Sequence, residues 1–557
     1  MGTKRVYGID LGTTYSCIAY VDEHGRPVVV PNAENETTTP SVVYFEGKDS
    51  IVVGNTAKEQ AEIVPERCVT TVKRNMGNPD WEFAADGKVY KPQDISSFIL
   101  RKVVEDAQAI TGDSIKDVVI TCPAYFGLNQ KEATKQAGAL AGLNVLYVIP
   151  EPTAAAIAYG MEQETDQTIL VYDLGGGTFD VTLIRVAAGE ITVLTTGGDD
   201  KLGGRNWDEA VVDYLAHGFE AETGTAATEV TGNRETYQGM LNSAERAKKK
   251  LSSALATKEK VQHDTDRATV EITRQKFDEI TGPYLERTIS LTKDLLARAA
   301  AKGHSALDKV LLVGGSCYMP QVLARVAREI PAEVKMFDPN QAVAKGAAIF
   351  GFKCFLDREI KIRIAGQTGE KPDEVRPDAA PAAVREQAQR EVAESLGLAL
   401  PSVRKLTNAT IKNVSSKSFG LVVLDRATNT EVVTNLIVID DPVPKTTTQK
   451  FSTHSEGQTD VELVLMENQD RGGPGKHVAV SACEEIRREV LEFGRGLPTG
   501  SPIEVTFALG PDGLLSVDSR DLTTGRALHV DHQTASIMSK EEIEVARSRN
   551  LAMQVGG

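Results

Sequence analysis

The sequence predicts an α/β chain of two related lobes, followed by an all-β sandwich and a short final helix. Three observations carry this. Apolar strand-like runs alternate with helical patterns over the first ~350 residues, as in α/β architectures. One segment, strand–Asp–Gly-rich turn–returning strand, occurs twice. Beyond residue 406 the hydrophobic period switches to short β-rich runs separated by turn residues.

Taken in order, Arg5-Val6-Tyr7-Gly8-Ile9-Asp10 reads as a strand, and so do residues 117–121, 168–173 and 309–313. Residues 97–110, 130–141 and 234–255 read as helices. The echo pairs Asp10-Leu11-Gly12-Thr13-Thr14 and its returning strand with Asp173-Leu174-Gly175-Gly176-Gly177-Thr178 and its own. A second echo pairs the strand before Pro123 with the strand before Gly314-Gly315-Ser316. Two lobes facing each other explain both. From residue 357 the character changes. Residues 366–381 are rich in Gly, Pro, Ala and charge and read as linker. Residues 381–398 then read as a helix, with Val384, Ala388, Val392 and Leu396 every four residues, Pro381 at its start and Gly397 at its end. Strands are expected at 419–424, 432–439, 461–466, 503–509 and 514–517, the last two joined by the hairpin Gly510-Pro511-Asp512-Gly513. The final helix, 539–553, opens on Ser539 with Glu542 three residues later, a capping box. The expected domains are thus 1–356, a linker with an inserted helix at 357–406, a sandwich at 407–532 and a helical stub at 533–557.

Composition excludes several classes. Hydrophobic residues make up 41% of the 557, an ordinary globular share. No run approaches the ~18 uninterrupted apolar residues of a bilayer span, and the first residues lack the apolar core of a signal peptide. Asp and Glu outnumber Lys and Arg, 78 to 62, so nucleic acid and anionic membrane are not expected partners. The six cysteines form no CxxC pair, which fits a reducing cytoplasm with thiols in the core.

The doubled turn carries the chemistry. Glycines let the backbone approach an oxyanion closely, and successive N–H groups with Thr hydroxyls make a nest for phosphate. A carboxylate leading each turn lies within reach of a divalent cation on those phosphates. Mg²⁺ keeps most of its waters, which casts Asp10 and Asp173 as ligands acting through water. No GxxxxGK[ST] loop occurs. Glu245, Lys248, Lys249 and Ser252 fall at i, i+3, i+4 and i+7 on one helix face. That face is either a solvated, ion-paired surface or one wall of an adenosine site, with Gly314-Gly315-Ser316 as the other.

The two turn segments and Leu312-Val313-Gly314-Gly315-Ser316 resemble the three signatures of the seventy-kilodalton heat-shock chaperones. Pro123-Ala124-Tyr125-Phe126 and residues 151–160 resemble two further blocks, and the likeness covers 4–352. It implies an actin-like ATPase fold around a nucleotide cleft taking ATP or ADP, Mg²⁺ and K⁺. By the resemblance Thr13, Thr14, Tyr15, Gly175, Gly176 and Gly177 bind phosphate. Asp10 and Asp173 hold Mg²⁺ through water, and Lys73 lies against the γ-phosphate. Glu151 orients the attacking water, while Thr178 and Asp180 support the γ-phosphate and a monovalent cation. The β module resembles the family's peptide-binding sandwich, with Leu421, Leu424, Phe451, Val461 and Leu463 lining a channel for unfolded or extended polypeptide; the alternative is that these five are ordinary core. J-domain co-chaperones and nucleotide exchange factors are the partners the family implies.

The chain departs from the family's pattern in four respects. About fifty residues replace a short acidic, leucine-rich linker, which puts the usual coupling in question. Tyr318 stands where an adenine-stacking Arg is usual. Asn340 and Arg205 replace acidic residues near the base and ribose. The sequence given ends after one short helix, so the peptide lid is expected to be missing. The reading is an ATP-dependent chaperone. Its rivals are an ATP-dependent scaffold holding one folded partner and a small-molecule kinase, for which no catalytic carboxylate stands outside the family pattern.

Overall fold

The computed structural model describes residues 5–160, 166–187, 189–377, 379–425, 428–468, 477–510, 513–530 and 538–557. Each lobe is built on a mixed sheet, and the two sheets repeat one order. In lobe I the order is Asn144–Pro150, Asp117–Cys122, Tyr7–Asp10, Tyr15–Val21 and Pro27–Val30. In lobe II it is Glu333–Met336, Lys309–Val313, Gln167–Leu174, Phe179–Ala187 and Glu190–Asp199. Every pairing matches in sense: the first three strands of each run are parallel and the rest antiparallel. Both echoes in the sequence are therefore a structural duplication.

The lobes meet where helices Glu151–Gly160 and Ala342–Thr368 cross. Gly346 makes this possible, because a Cβ there would run into the Ala154 carbonyl. A core of Val171, Val313, Ala347, Ile349 and Leu356 fills the junction.

Four expectations need correction. Helix Ala342–Thr368 runs unbroken across the boundary expected at 356/357. The inserted helix is Ala382–Leu396, ended by left-handed Gly397, but a second helix, Leu400–Asn408, follows and crosses the boundary expected at 406/407. Both pack on Ala342–Thr368, and Val392, Val403 and Leu406 join the junction core, so most of this segment is built in. The helix expected over 234–255 ends at Leu251, where a strand pair, Ala256–His263 with Asp266–Thr273, begins.

The segment that stands in place of the family's linker also makes a sheet contact with lobe II. Strand Thr410–Val414 pairs in parallel with Glu190–Asp199 of lobe II and antiparallel with Pro442–Val443 of the β module. One seven-stranded sheet thus runs from lobe II into the sandwich. Asp440 adds a polar tie: Lys302 Nζ donates to it at 2.7 Å and Thr195 Oγ1 at 3.1 Å. On the lobe I side, Leu128 N donates to Glu467 at 2.9 Å, and the Lys417 ammonium lies 3.9 Å from the Tyr125 ring centre.

Among the described residues the sandwich packs a five-stranded sheet on a four-stranded one. Its strands include Ser418–Asp425, Thr430–Ile437, Gln458–Asn468, Pro502–Leu509 and Leu515–Asp521, as expected, plus Lys445–Ser452 and Cys483–Leu497. The last two expected strands do form a hairpin, but Pro511 and Asp512 lie outside the described residues. Helix Lys540–Ala552 has the expected capping box at Ser539 and packs on lobe I.

Candidate functional site

A cavity of about 1030 Å³ opens between the lobes. Its wall includes Asp10, Gly12, Thr13, Thr14, Tyr15, Lys73, Glu151, Asp173, Gly175, Gly176 and Thr178 from the turns and the lobe junction. Glu245, Lys248, Lys249, Ser252, Gly314, Gly315, Ser316 and Tyr318 complete the adenosine side expected from the sequence. Gly177 and Asp180 are not on its surface.

The duplicated strands deliver Asp10 and Asp173 at their C-terminal ends. The turn after Asp10 is braced by Ser41, whose hydroxyl donates to Gly12 O at 2.8 Å. The turn after Asp173 is braced by the start of helix Gly204–Thr223. There Gly204 N donates to Gly175 O at 2.9 Å and Arg205 N to Gly176 O at 2.7 Å. Ser316 Oγ donates to Gly175 O at 2.8 Å. Gly314, at φ 83°, lies so close to Leu174 O and Asp173 that no side chain fits. The two turns touch tip to tip: a Cβ on Gly176 or Gly177 would collide with Thr14 or Thr13.

Charge is concentrated here. Lys73 and Glu151 form an ion pair in which both residues are buried. Burial pushes the Asp10 carboxyl up to about 7, with the Glu151 charge adding to it and Lys73 opposing. Burial and then Glu151 likewise hold Asp173 and Asp180 well above the ordinary carboxylate range. Asp180 accepts from Tyr125 N, while its buried Oδ2 finds no hydrogen-bond partner of good geometry among the described residues. Crowded carboxyls around one ammonium, one of them with an unused oxygen, fit a site completed by cations. Among the described residues no three His, Cys, Asp or Glu groups lie close enough to hold a metal directly.

Across the mouth, Tyr15 does more than line the cavity. Its hydroxyl donates to Glu245 at 2.9 Å and receives Lys58 at 3.0 Å and Lys249 at 2.9 Å. Lys58 of lobe I is ion-paired with Glu245 of lobe II. Burial opposes the Glu245 charge, yet Lys58 and Lys249 outweigh it and hold the carboxyl well below its usual range. Lys248 is taken by Asp208 at 2.7 Å, and Ser252 Oγ by Lys248 O at 3.1 Å. Arg205 pairs with Glu209 at 3.0 Å, and half-exposed Tyr318 and Asn340 sit at the lip.

Sequence reasoning missed Lys58 and Arg74. Arg74 sits beside Lys73 on the short turn Val72–Asn75, entered through left-handed Thr71. Its guanidinium spans the cleft to Gly177 O at 3.0 Å and Asn206 Oδ1 at 2.9 Å. Lys58→Ala is expected to speed ligand release from the cleft by about three- to fivefold, the scale of a partly exposed ion pair. Stopped-flow displacement of a fluorescent nucleotide measures it.

The five residues expected to line a peptide channel are buried to different degrees. Leu421 and Leu463 lie in the sandwich core at 2% and 5% exposure, because their strands face the opposite sheet there. Phe451 and Val461 are half-buried against that core, and Leu424 is half-buried.

Duplicated lobes around a cleft, with a β-sandwich joined to lobe II through a shared sheet, are the architecture of a two-lobed ATPase domain followed by a β-sandwich. The family model described as Hsp70 protein matches residues 6–82, 78–353 and 400–554, and the chain belongs to that family. The family's members are ATPases with a general chaperone role, binding ATP or ADP with Mg²⁺ and acting on unfolded polypeptides with co-chaperones. Among the described residues no helix is long and apolar enough to cross a membrane.

Proposed function

We propose that this chain binds Mg-ATP in the interlobe cavity, hydrolyses it slowly, and uses the sandwich to hold unfolded or extended polypeptide. The observation that carries this is the convergence of two Asp-led glycine turns, from symmetry-related strands, on the buried Lys73–Glu151 pair. Bound Mg²⁺ supplies neutralisation of phosphate charge. Asp10 and Asp173 would hold its waters; Thr13, Thr14, Tyr15 and Gly176 would offer backbone N–H groups to phosphate, while the Gly175 N–H, bonded to Thr178 O at 3.0 Å, and Gly177, behind the cavity wall, would shape the turn. Lys73 would neutralise charge developing on the γ-phosphoryl oxygens, Glu151 would orient the attacking water, Thr178 would support the γ-phosphate, and Asp180, behind the cavity wall, would help hold a K⁺ ion. Phosphoryl transfer needs positioning and fixed charge more than covalent chemistry, which this cluster supplies. Glu245, Lys248, Lys249, Ser252, Gly314, Gly315, Ser316 and Tyr318 frame the nucleoside.

The test is single-turnover ATP hydrolysis by the full chain, with and without an apolar heptapeptide. Mg²⁺-dependent turnover that peptide accelerates is expected. No turnover removes the ATPase reading, and turnover indifferent to peptide removes the coupling. The burial of Leu421 and Leu463 favours a second reading, in which the sandwich docks one folded partner. Heptapeptide titration followed by fluorescence anisotropy separates the two, since only the chaperone reading gives saturable binding.

A further inference from the structure

The last residues are built into lobe I. Asn550, with no exposed surface, donates its side-chain amide to Asp94 Oδ1 at 2.8 Å and to Ser97 Oγ at 3.1 Å. Arg549 reaches the same Asp94 oxygen at 2.7 Å, and its guanidinium lies 4.7 Å from the Tyr90 ring centre. Asp94 in turn caps the helix Pro92–Thr111 through Lys91 N. Arg101 answers from lobe I, donating to the carbonyls of Asn550 and Met553 at 2.6 and 3.0 Å. Met553 belongs to the lobe I core, and Gln554–Gly556 then pairs in parallel with Ser50–Val53, extending a lobe I sheet by one strand.

These are contacts of a domain interior. Detachment would strip Asp94 of two donors, expose Met553, and leave the amides and carbonyls of a strand edge unpaired. Each loss alone disfavours release, and all three fall together. The sandwich is therefore held at both ends: strand Thr410–Val414 is woven into lobe II, and residues 539–556 are built into lobe I.

We propose that residues 539–556 are a fixed strap, staying in lobe I in every nucleotide state, so that the sandwich moves only as far as its two tethers allow. The strap stands on its own contacts and does not rest on the nucleotide reading.

Hydrogen exchange read by mass spectrometry on the full chain tests this, with calorimetry on the same sample reporting whether nucleotide is bound. Without nucleotide, amides of 50–53 and 546–556 are expected to be protected as strongly as strand Tyr7–Asp10; exchange at the rate of unstructured peptide overturns the proposal. With ADP or ATP bound, rates are expected to agree within about twofold, and a rise beyond about tenfold in either state overturns it. Asn550→Asp sets a second carboxylate against Asp94. It is expected to speed exchange in both segments by more than about tenfold while lobe II peptides keep their rates. Unchanged exchange at 50–53 in that variant would show that the strap does not clamp the strand.

Discussion

Replacing Lys73 by alanine is expected to lower ATP turnover by about a hundredfold or more while leaving nucleotide binding measurable. The ammonium is buried against Glu151 and is a cation facing Asp10, Asp173 and Asp180 alike. Binding survives because the glycine turns and the adenosine wall are untouched. The same change should destabilise the nucleotide-free protein by about 3–5 kcal/mol, the usual cost of leaving one member of a buried ion pair alone. Single-turnover kinetics, calorimetry and thermal unfolding on one preparation separate the three effects. Unchanged turnover would remove Lys73 from the site.

Asp10→Asn is expected to pull in two directions. In the metal-free protein the carboxyl is raised from its ordinary 3.8 to about 7, chiefly by burial and then by Glu151. The folded state therefore binds more protons than the unfolded state between those values, so this group's contribution falls as pH rises through that window. Below the window it costs nothing. Above it, the penalty reaches at most about 4 kcal/mol, from 1.36 kcal/mol per pH unit. The asparagine variant loses that penalty. It should melt higher than the parent at pH 8 without metal, and its stability should vary less between pH 4 and 7. Its Mg²⁺-supported nucleotide affinity should fall by about 10–100-fold, the scale seen when an outer-shell partner of a metal is removed. A magnesium titration of nucleotide binding identical to the parent's would count against the assignment.

The features legible in the sequence were those written locally. Each Asp-Gly turn sits within a few residues of its two strands, so the duplication of the sheets could be read from text alone. The Ser539 capping box and the Gly397 helix end were legible for the same reason. What escaped depends on partners far along the chain. Lys58 looks like any surface lysine until Glu245 arrives from the other lobe. Strand Cys483–Leu497 carries Glu484, Glu485, Arg487 and Arg488, because it is an edge strand with one side in water, and its charges mask its period. The terminal helix docks largely through Arg549 and Asn550, and hydrophobic periodicity is blind to contacts of that kind. The linker strand Thr410–Val414 is five residues of half-exposed, mixed polarity, too short to announce itself.

That short strand has a consequence for how the two halves tolerate change. The union of Glu190–Asp199 with Thr410–Val414, and of the latter with Pro442–Val443, is made by peptide groups, which every amino acid except proline supplies in full. Side chains along the seam are free to drift without severing the mechanical link. A proline placed where an amide must donate would cut it at one stroke.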